Sequence, residues 1–414
     1  MRPGTRRTAR LVSCTAVAAA LLLPVAAPAQ SVTPGRVPVA DGKKGQQLPA
    51  MPTAFEPTAR DAACTPPSKE KARKQDWSRQ RLDLDRLHRH GTGTGVTVAL
   101  VDTGVAPRAA GLEGRVTADG DAGDDCVGHG TFLAGLIAGT GGDTPSLAGV
   151  APGARILALR GTDRRGVPDA ALVAAAVRRA TSARAGVIAV GVALPRRDAA
   201  VTRAVADARR AGAVVVAAAA PDPTSRVGGD EVPPRTYWPA GEPGVLAVAD
   251  MLPAGVRPDR ALRTDGVDLV APGAGVVSGG PRGDGHYLGG GVGVATAYAA
   301  GAAAVVRAAH PGEAPDVVAR RLLATAYPAD IPQLDAYAAV TTVLGAPGGP
   351  AAGERAGEPV TVRDTASADR AASRALVMVL LGSAGVLALL WAGFAFSRGR
   401  ARGWRPAGAA AAED

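Results

Sequence analysis

Three short segments of this chain carry residue types that can do chemistry together. The first is Val98-Ala99-Leu100-Val101-Asp102-Thr103-Gly104-Val105, an apolar run ending in a carboxylate. The second is Gly128-His129-Gly130-Thr131, which leads into an apolar helical stretch, Phe132–Ala138. The third runs from Gly291 to Gly301 and leads into Ala302–Ala309. In open α/β sheets, chemistry collects where strands end and helices begin. An Asp at a strand end and a His at a helix start can meet there, the carboxylate fixing the imidazole tautomer and stabilising its cation.

The surrounding sequence predicts the elements that must position them. Val96–Val101, Ile156–Leu159, Val187–Val192, Val214–Ala219 and Val245–Val248 are short apolar runs of buried-strand type. Helical patterns such as Ala170–Arg184 and Ala199–Ala211 lie between them. Strand and helix in alternation imply a doubly wound α/β fold, a parallel sheet with helices on both faces. Before it, Lys69 to Leu87 has the spacing of a short amphipathic helix, with Trp77, Leu82, Leu84 and Leu87 on one side. Aromatics are only 3% of the 414 residues, so the core must be built from Ala, Val and Leu. There is no internal repeat.

The two ends carry topology. Arg2 to Arg10 form a basic n-region, Leu11 to Leu23 an apolar h-region, and Ala27-Pro28-Ala29 a small-x-small cleavage site, so 1–29 reads as a signal peptide. Ala375 to Phe396 is a stretch of 22 residues without a charge, long enough to span a bilayer. Arg374 precedes it, and Arg398, Arg400, Arg402 and Arg405 follow, which places the C-terminus in the cytoplasm and the main body outside. The net charge is +10, but more than half of that surplus sits at these two ends. Topology accounts for it, and nucleic acid is not a predicted partner. The predicted layout is signal peptide 1–29, arm 30–87, α/β domain 88–345, Gly/Pro/Ala-rich linker 346–373, transmembrane helix 374–397 and basic tail 398–414. After export the chain keeps Cys64 and Cys126, an even pair in an oxidising compartment. They can form a disulfide or remain two buried thiols.

With these motifs assembled, the chain resembles the subtilisin-family (S8) serine peptidases, and within them the mycosins, membrane-anchored subtilases of type VII secretion systems. The likeness runs from about Cys64 to Phe396. It includes Gly149-Val150-Ala151-Pro152, Tyr237-Trp238-Pro239-Ala240, Val267-Asp268-Leu269-Val270-Ala271-Pro272-Gly273 and Leu334-Asp335-Ala336-Tyr337. The resemblance implies that Asp102 and His129 hold the acid and base positions. It also implies a nucleophile in Gly-Thr-Ser-x-Ala-x-Pro-x-x-x-Gly. The eleven matching residues run from Gly291 to Gly301, and the serine position holds Gly293. A shifted frame puts Ala295 there, and neither supplies a hydroxyl. Thr296 lies about one helical turn further on and should point away.

Two further positions depart. The family's oxyanion-hole Asn follows a strand, and here Val214–Ala220 is followed by Pro221, which has neither a side-chain donor nor a backbone N–H. A frame shifted by one puts Ala220 there, equally without a donor. Gly191 stands where the family usually has a Ser in the substrate-cleft strand. In subtilisin, loss of the serine costs about 10⁶ in turnover, and loss of the Asn donor about 10²–10³. The expectation is a pseudopeptidase, a scaffold or peptide-binding component of a type VII secretion membrane complex, whose cleft could take extended peptide as an added strand. The alternative is an active serine endopeptidase processing secreted proteins, which needs an unrecognised nucleophile. No cofactor is required. Asp121, Asp124 and Asp125 form a conceivable calcium cluster, since subtilases often bind calcium, but a solvated loop is the preferred reading. His88, His90, His286 and His310 show no ligand spacing and read as surface or linker residues.

Overall fold

The computed structural model describes residues 47–55, 63–222, 235–259, 261–344 and 366–403, with side chains of the last segment from 374 onward. The chain divides into two compact units, the first up to Thr342 and the second from Val343. The predicted signal peptide, the first part of the arm, most of the linker and the end of the tail lie outside the described residues.

The first unit is built on strands β1 (Thr97–Asp102), β2 (Val116–Ala118), β3 (Arg155–Arg160), β4 (Val187–Val190), β5 (Val214–Ala218), β6 (Leu246–Met251) and β7 (Leu269–Pro272). They form one sheet in the order β2-β3-β1-β4-β5-β6-β7, with every pairing parallel. Strand β1 shows why both faces must be covered. Val98 and Leu100 point into one apolar cluster while Ala99 and Val101 point into the other, the two-residue alternation of a strand. The first cluster is closed by helices α3 (His129–Ala138) and α6 (Val292–Ala309). The second is closed by α4 (Ala170–Ser182) and α5 (Ala199–Arg210). Helix α6 is apolar enough to cross a membrane, but 83% of it is buried, which makes it the core helix of this unit. Asp169 and Asp198 start α4 and α5 by accepting from backbone N–H groups of the first turn. Helices α7 (Pro315–Ala324) and α8 (Ala336–Thr341) close the unit, and β8 (Val276–Gly279) and β9 (His286–Gly289) form a separate antiparallel hairpin.

The arm departs from expectation. Lys69–Leu87 is not one helix. It contains two five-residue helices, α1 (Trp77–Arg81) and α2 (Leu84–His88), broken at Asp83, which is left-handed with φ 45°. Residues 69–75 form no helix, and the Ala72 N–H donates to His286 Nδ1. The break lets Arg79 turn inward while Leu84 and Leu87 reach the core. Further upstream, Ala50 pairs in parallel with Leu288 beside β9, and the Phe55 N–H donates to the Arg165 carbonyl. Cys64 and Cys126 form a disulfide.

In the second unit, α9 runs from Ala366 to Ala401. It starts eight residues before the predicted end of the linker, so 366–373 continue the helix instead of linking to it. Arg374–Ala401 is long and apolar enough to span a membrane.

Candidate active site

The site begins at the C-terminal end of β1, where Asp102 is fully buried. Its Oδ1 accepts from the Thr103 N–H and lies 2.8 Å from His129 Nδ1. His129 is the first residue of α3, and the turn before it is assembled by Asp125. This buried carboxylate accepts from the Gly128 N–H, the Thr131 N–H and the Thr103 and Thr131 hydroxyls. Burial pushes the Asp125 pKa up, and these hydrogen bonds pull against that shift. The Thr103 hydroxyl in turn accepts from the Gly130 N–H, tying strand end to helix start. The fit admits no side chain at Gly130, whose Cβ would fall 2.0 Å from the Gly104 carbonyl oxygen. Gly128 enters the helix with φ 95°, a left-handed conformation that favours glycine. The Gly-His-Gly spacing thus reflects a close approach as well as chemistry.

The Gly291–Gly301 segment arrives from the other side. A Cβ at Gly293 would lie 2.8 Å from His129 Cε1, so the unshifted frame is the one that faces the imidazole. Ala295 is buried in the core cluster. Thr296 is buried and its hydroxyl donates to the Val292 carbonyl, away from His129. Gly191 follows β4, and its carbonyl lies 3.1 Å from the same Gly293 Cβ position. Pro221 follows β5. The structure therefore gathers Asp102, His129, Gly191, the Pro221 segment and Gly293 at one end of the sheet.

One participant is absent from the sequence reading. Asp222, next to Pro221, turns its carboxylate into the gap between His129 and Gly293. Its Oδ1 accepts from the Gly293 N–H at 3.0 Å, and its Oδ2 lies 3.2 Å from His129 Nε2. The latter is an ion-pair contact, because Nε2 has no aligned hydrogen-bond partner. The side chain is only 7% exposed. Burial pushes the His129 pKa down, but Asp102 and then Asp222 outweigh it and hold His129 well above the ordinary imidazole value. The signal that could have found Asp222 is an acid four residues past the end of a parallel strand, at the sheet end that carries Asp102.

The calcium cluster does not form. Asp121 Oδ2 lies 3.2 Å from Arg160 Nε, and Asp124 Oδ2 3.0 Å from Arg164. Asp125 spends its oxygens on the α3 turn, so these three carboxylates do not fit a calcium ion. Among the described residues, no group of three or more acidic, His or Cys side chains could hold a metal. The other histidines are more engaged than the sequence predicted. His88 Nε2 lies 3.0 Å from the Gly149 carbonyl and His310 Nε2 2.9 Å from that of Val340, while His90 meets Tyr337 edge-on.

Comparison with known proteins shows the family of this fold. The model of the subtilase family, peptidase S8, matches residues 93–367. Mycosin-1 of Mycobacterium tuberculosis is 30% identical over 370 residues, covering 75% of this chain and 80% of its own. A solved structure of the serine protease MycP1, described as an essential component of the type VII (ESX-1) secretion system, superposes with a TM-score of 0.58. It is 27% identical, over 72% of this chain and all of that one. A chain of the periplasmic assembly from the ESX-5 inner membrane complex gives a TM-score of 0.57 at 26% identity, over 70% of this chain and 90% of that one.

Proposed function

The chain belongs to the subtilase family, with mycosins among its relatives, and from that premise we propose that it is a catalytically inactive pseudopeptidase. In this reading it serves a type VII secretion membrane complex as a scaffold or peptide-binding component. One observation carries the inactivity. The position facing His129 is Gly293, with no side chain, and the space beside it holds the Asp222 carboxylate. Acyl transfer by this family's chemistry needs a hydroxyl hydrogen-bonded to the imidazole and donors for the developing oxyanion. The hydroxyl is missing. The Gly293 N–H, the donor at the start of α6, is already taken by Asp222. The two flanking carboxylates also favour the protonated imidazole, which works against its acting as a base.

The relatives support the type VII assignment, and the apolar helix Arg374–Ala401 supports anchoring in the plasma membrane with the main domain outside. The proposed layout keeps the boundaries at 29, 87 and 345. The active-endopeptidase reading keeps the Asp102–His129 contact and the serine-protease relatives in its favour.

The test is peptidase turnover on denatured casein by the full chain in detergent, beside His129→Ala. Both proteins should be indistinguishable from buffer. Turnover in the unaltered chain that disappears in the variant would establish a working nucleophile and end this reading.

A further inference from the structure

Asp222 has no place in the family resemblance, yet the centre is arranged around it. Its two oxygens bridge the Gly293 N–H at the start of α6 and the imidazole of His129. A helix start is a natural seat for an anion because its first N–H groups lack partners within the helix. Here a second feature points at the same spot. His129 Nε2 is buried, has no aligned hydrogen bond, and faces Asp222 at 3.2 Å. Gly293 leaves the room, since a Cβ there would lie 2.9 Å from Asp222 Oδ2. Gly191 makes a matching concession on the far side, where a Cβ would fall 2.3 Å from Asp102 Oδ2.

We propose that the former reaction centre is a carboxylate-binding site, formed by His129 and the Gly293 amide, with Asp222 as its resident ligand. This deepens the inactive reading and rests on it only for the vacant side-chain position at Gly293. When His129 is protonated, charge assistance comes from its imidazolium, which Asp102 holds from behind. The next charged groups are Asp250 and Arg257, 3.6 Å apart. Burial raises the Asp250 pKa, and the Asp222 charge adds to the effect after Arg257 opposes it. A ligand from outside would need a carboxylate of its own, as at a peptide C-terminus. It would compete with a tethered group at high effective concentration. The site therefore stays self-occupied in the native chain and holds no peptide carbonyl beside His129.

The deciding measurement is a ¹⁵N-histidine NMR titration of the full chain in detergent, with His129 assigned by loss of its signal in His129→Gln. The unaltered chain is compared with Asp222→Asn, which keeps the shape, and with Asp222→Ala. Either variant should lower the His129 titration midpoint by about one pH unit or more. In Asp222→Ala, added formate should move it back in a saturable manner. Identical midpoints in all three proteins, or no response to formate, would overturn the proposal. A second experiment introduces Gly293→Ser alone and with Asp222→Ala, and follows labelling by a fluorophosphonate. The single variant should label no faster than the unaltered chain, and the double variant at least about tenfold faster. Equal labelling of the two variants at a rate above the unaltered chain would overturn it. Casein turnover by the unaltered chain would remove the inactive reading while leaving the His129 titrations to decide this one.

Discussion

Gly191 and Gly293 each press against a charged side chain of the candidate site. A side chain at Gly191 would collide with Asp102 Oδ2, and one at Gly293 with His129 and Asp222. Asp102 Oδ2 is buried without a hydrogen bond, so its charge is balanced through its other oxygen and His129. A pH dependence follows. The folded His129 pKa lies above the ordinary value near 6.5, so its stabilising contribution is complete below pH ~6.5. It is lost as pH rises through the folded pKa, by up to about 1.4 kcal/mol per pH unit. The raised Asp125 acts in the same sense, but its window opens near pH 4. Thermal denaturation between pH 7 and 9 should therefore show a falling Tm for the unaltered chain and a flatter profile for His129→Gln. Asp102 and His129 could be named from their motifs, and Gly191, Pro221 and Gly293 from the family resemblance. Asp222 could not, because the direction of its side chain depends on how the backbone leaves β5 after Pro221.

At the scale of elements, legibility followed burial. β1, β3, β4, β5 and β6 have apolar centres because helices cover both faces, and such runs stand out. β2 is three half-exposed residues at the sheet edge, and β9 contains His286 and Gly289, so neither has a pattern to read. The arm was misread for a different reason. Trp77, Leu82, Leu84 and Leu87 fit one helix, but the decisive residue is Arg79, which is 1% exposed. It donates to the carbonyls of Leu147, Ala148 and Val277 and pairs with buried Asp76. Ser78 adds a hydrogen bond to the Tyr298 hydroxyl on α6, and Trp77 Nε1 donates to the Ala274 carbonyl. These bonds make α1 part of the domain core. Arg79→Met removes the cation and leaves Asp76 charged and buried, at a cost of about 3–5 kcal/mol. Chemical denaturation should show that loss, a large share of a typical domain's stability. A cost below about 1 kcal/mol would mean that the arm is held by its apolar residues and the disulfide alone.

For the whole molecule, the question is how a globular unit and a single long helix divide their work. The first unit buries its own apolar helix α6, while Leu376 to Phe396 of α9 expose large apolar side chains along its length. Such a surface costs free energy in water and none in hydrocarbon. Arg398, Arg400 and Arg402 lie close together after the apolar stretch, and Arg370 and Arg374 lie before it. The positive-inside rule weighs short flanks of this kind, and on it we propose that the end with three clustered arginines faces the cytoplasm. Apolar length and flanking charge are one-dimensional properties, which is why this part could be read without a structure while Asp222 could not. A fluorescent protein that matures only in the cytoplasm, fused after Asp414, should fluoresce in membranes of a bacterial host. A periplasm-dependent phosphatase fused at the same point should stay inactive. Replacing Arg398, Arg400 and Arg402 with Glu and adding Lys before Arg374 removes the bias and should exchange part of the signal between the two reporters. A phosphatase signal from the unaltered chain would place the main domain inside the cell, where neither export of Cys64 and Cys126 as a disulfide nor a role at the outer face of a secretion complex could be sustained.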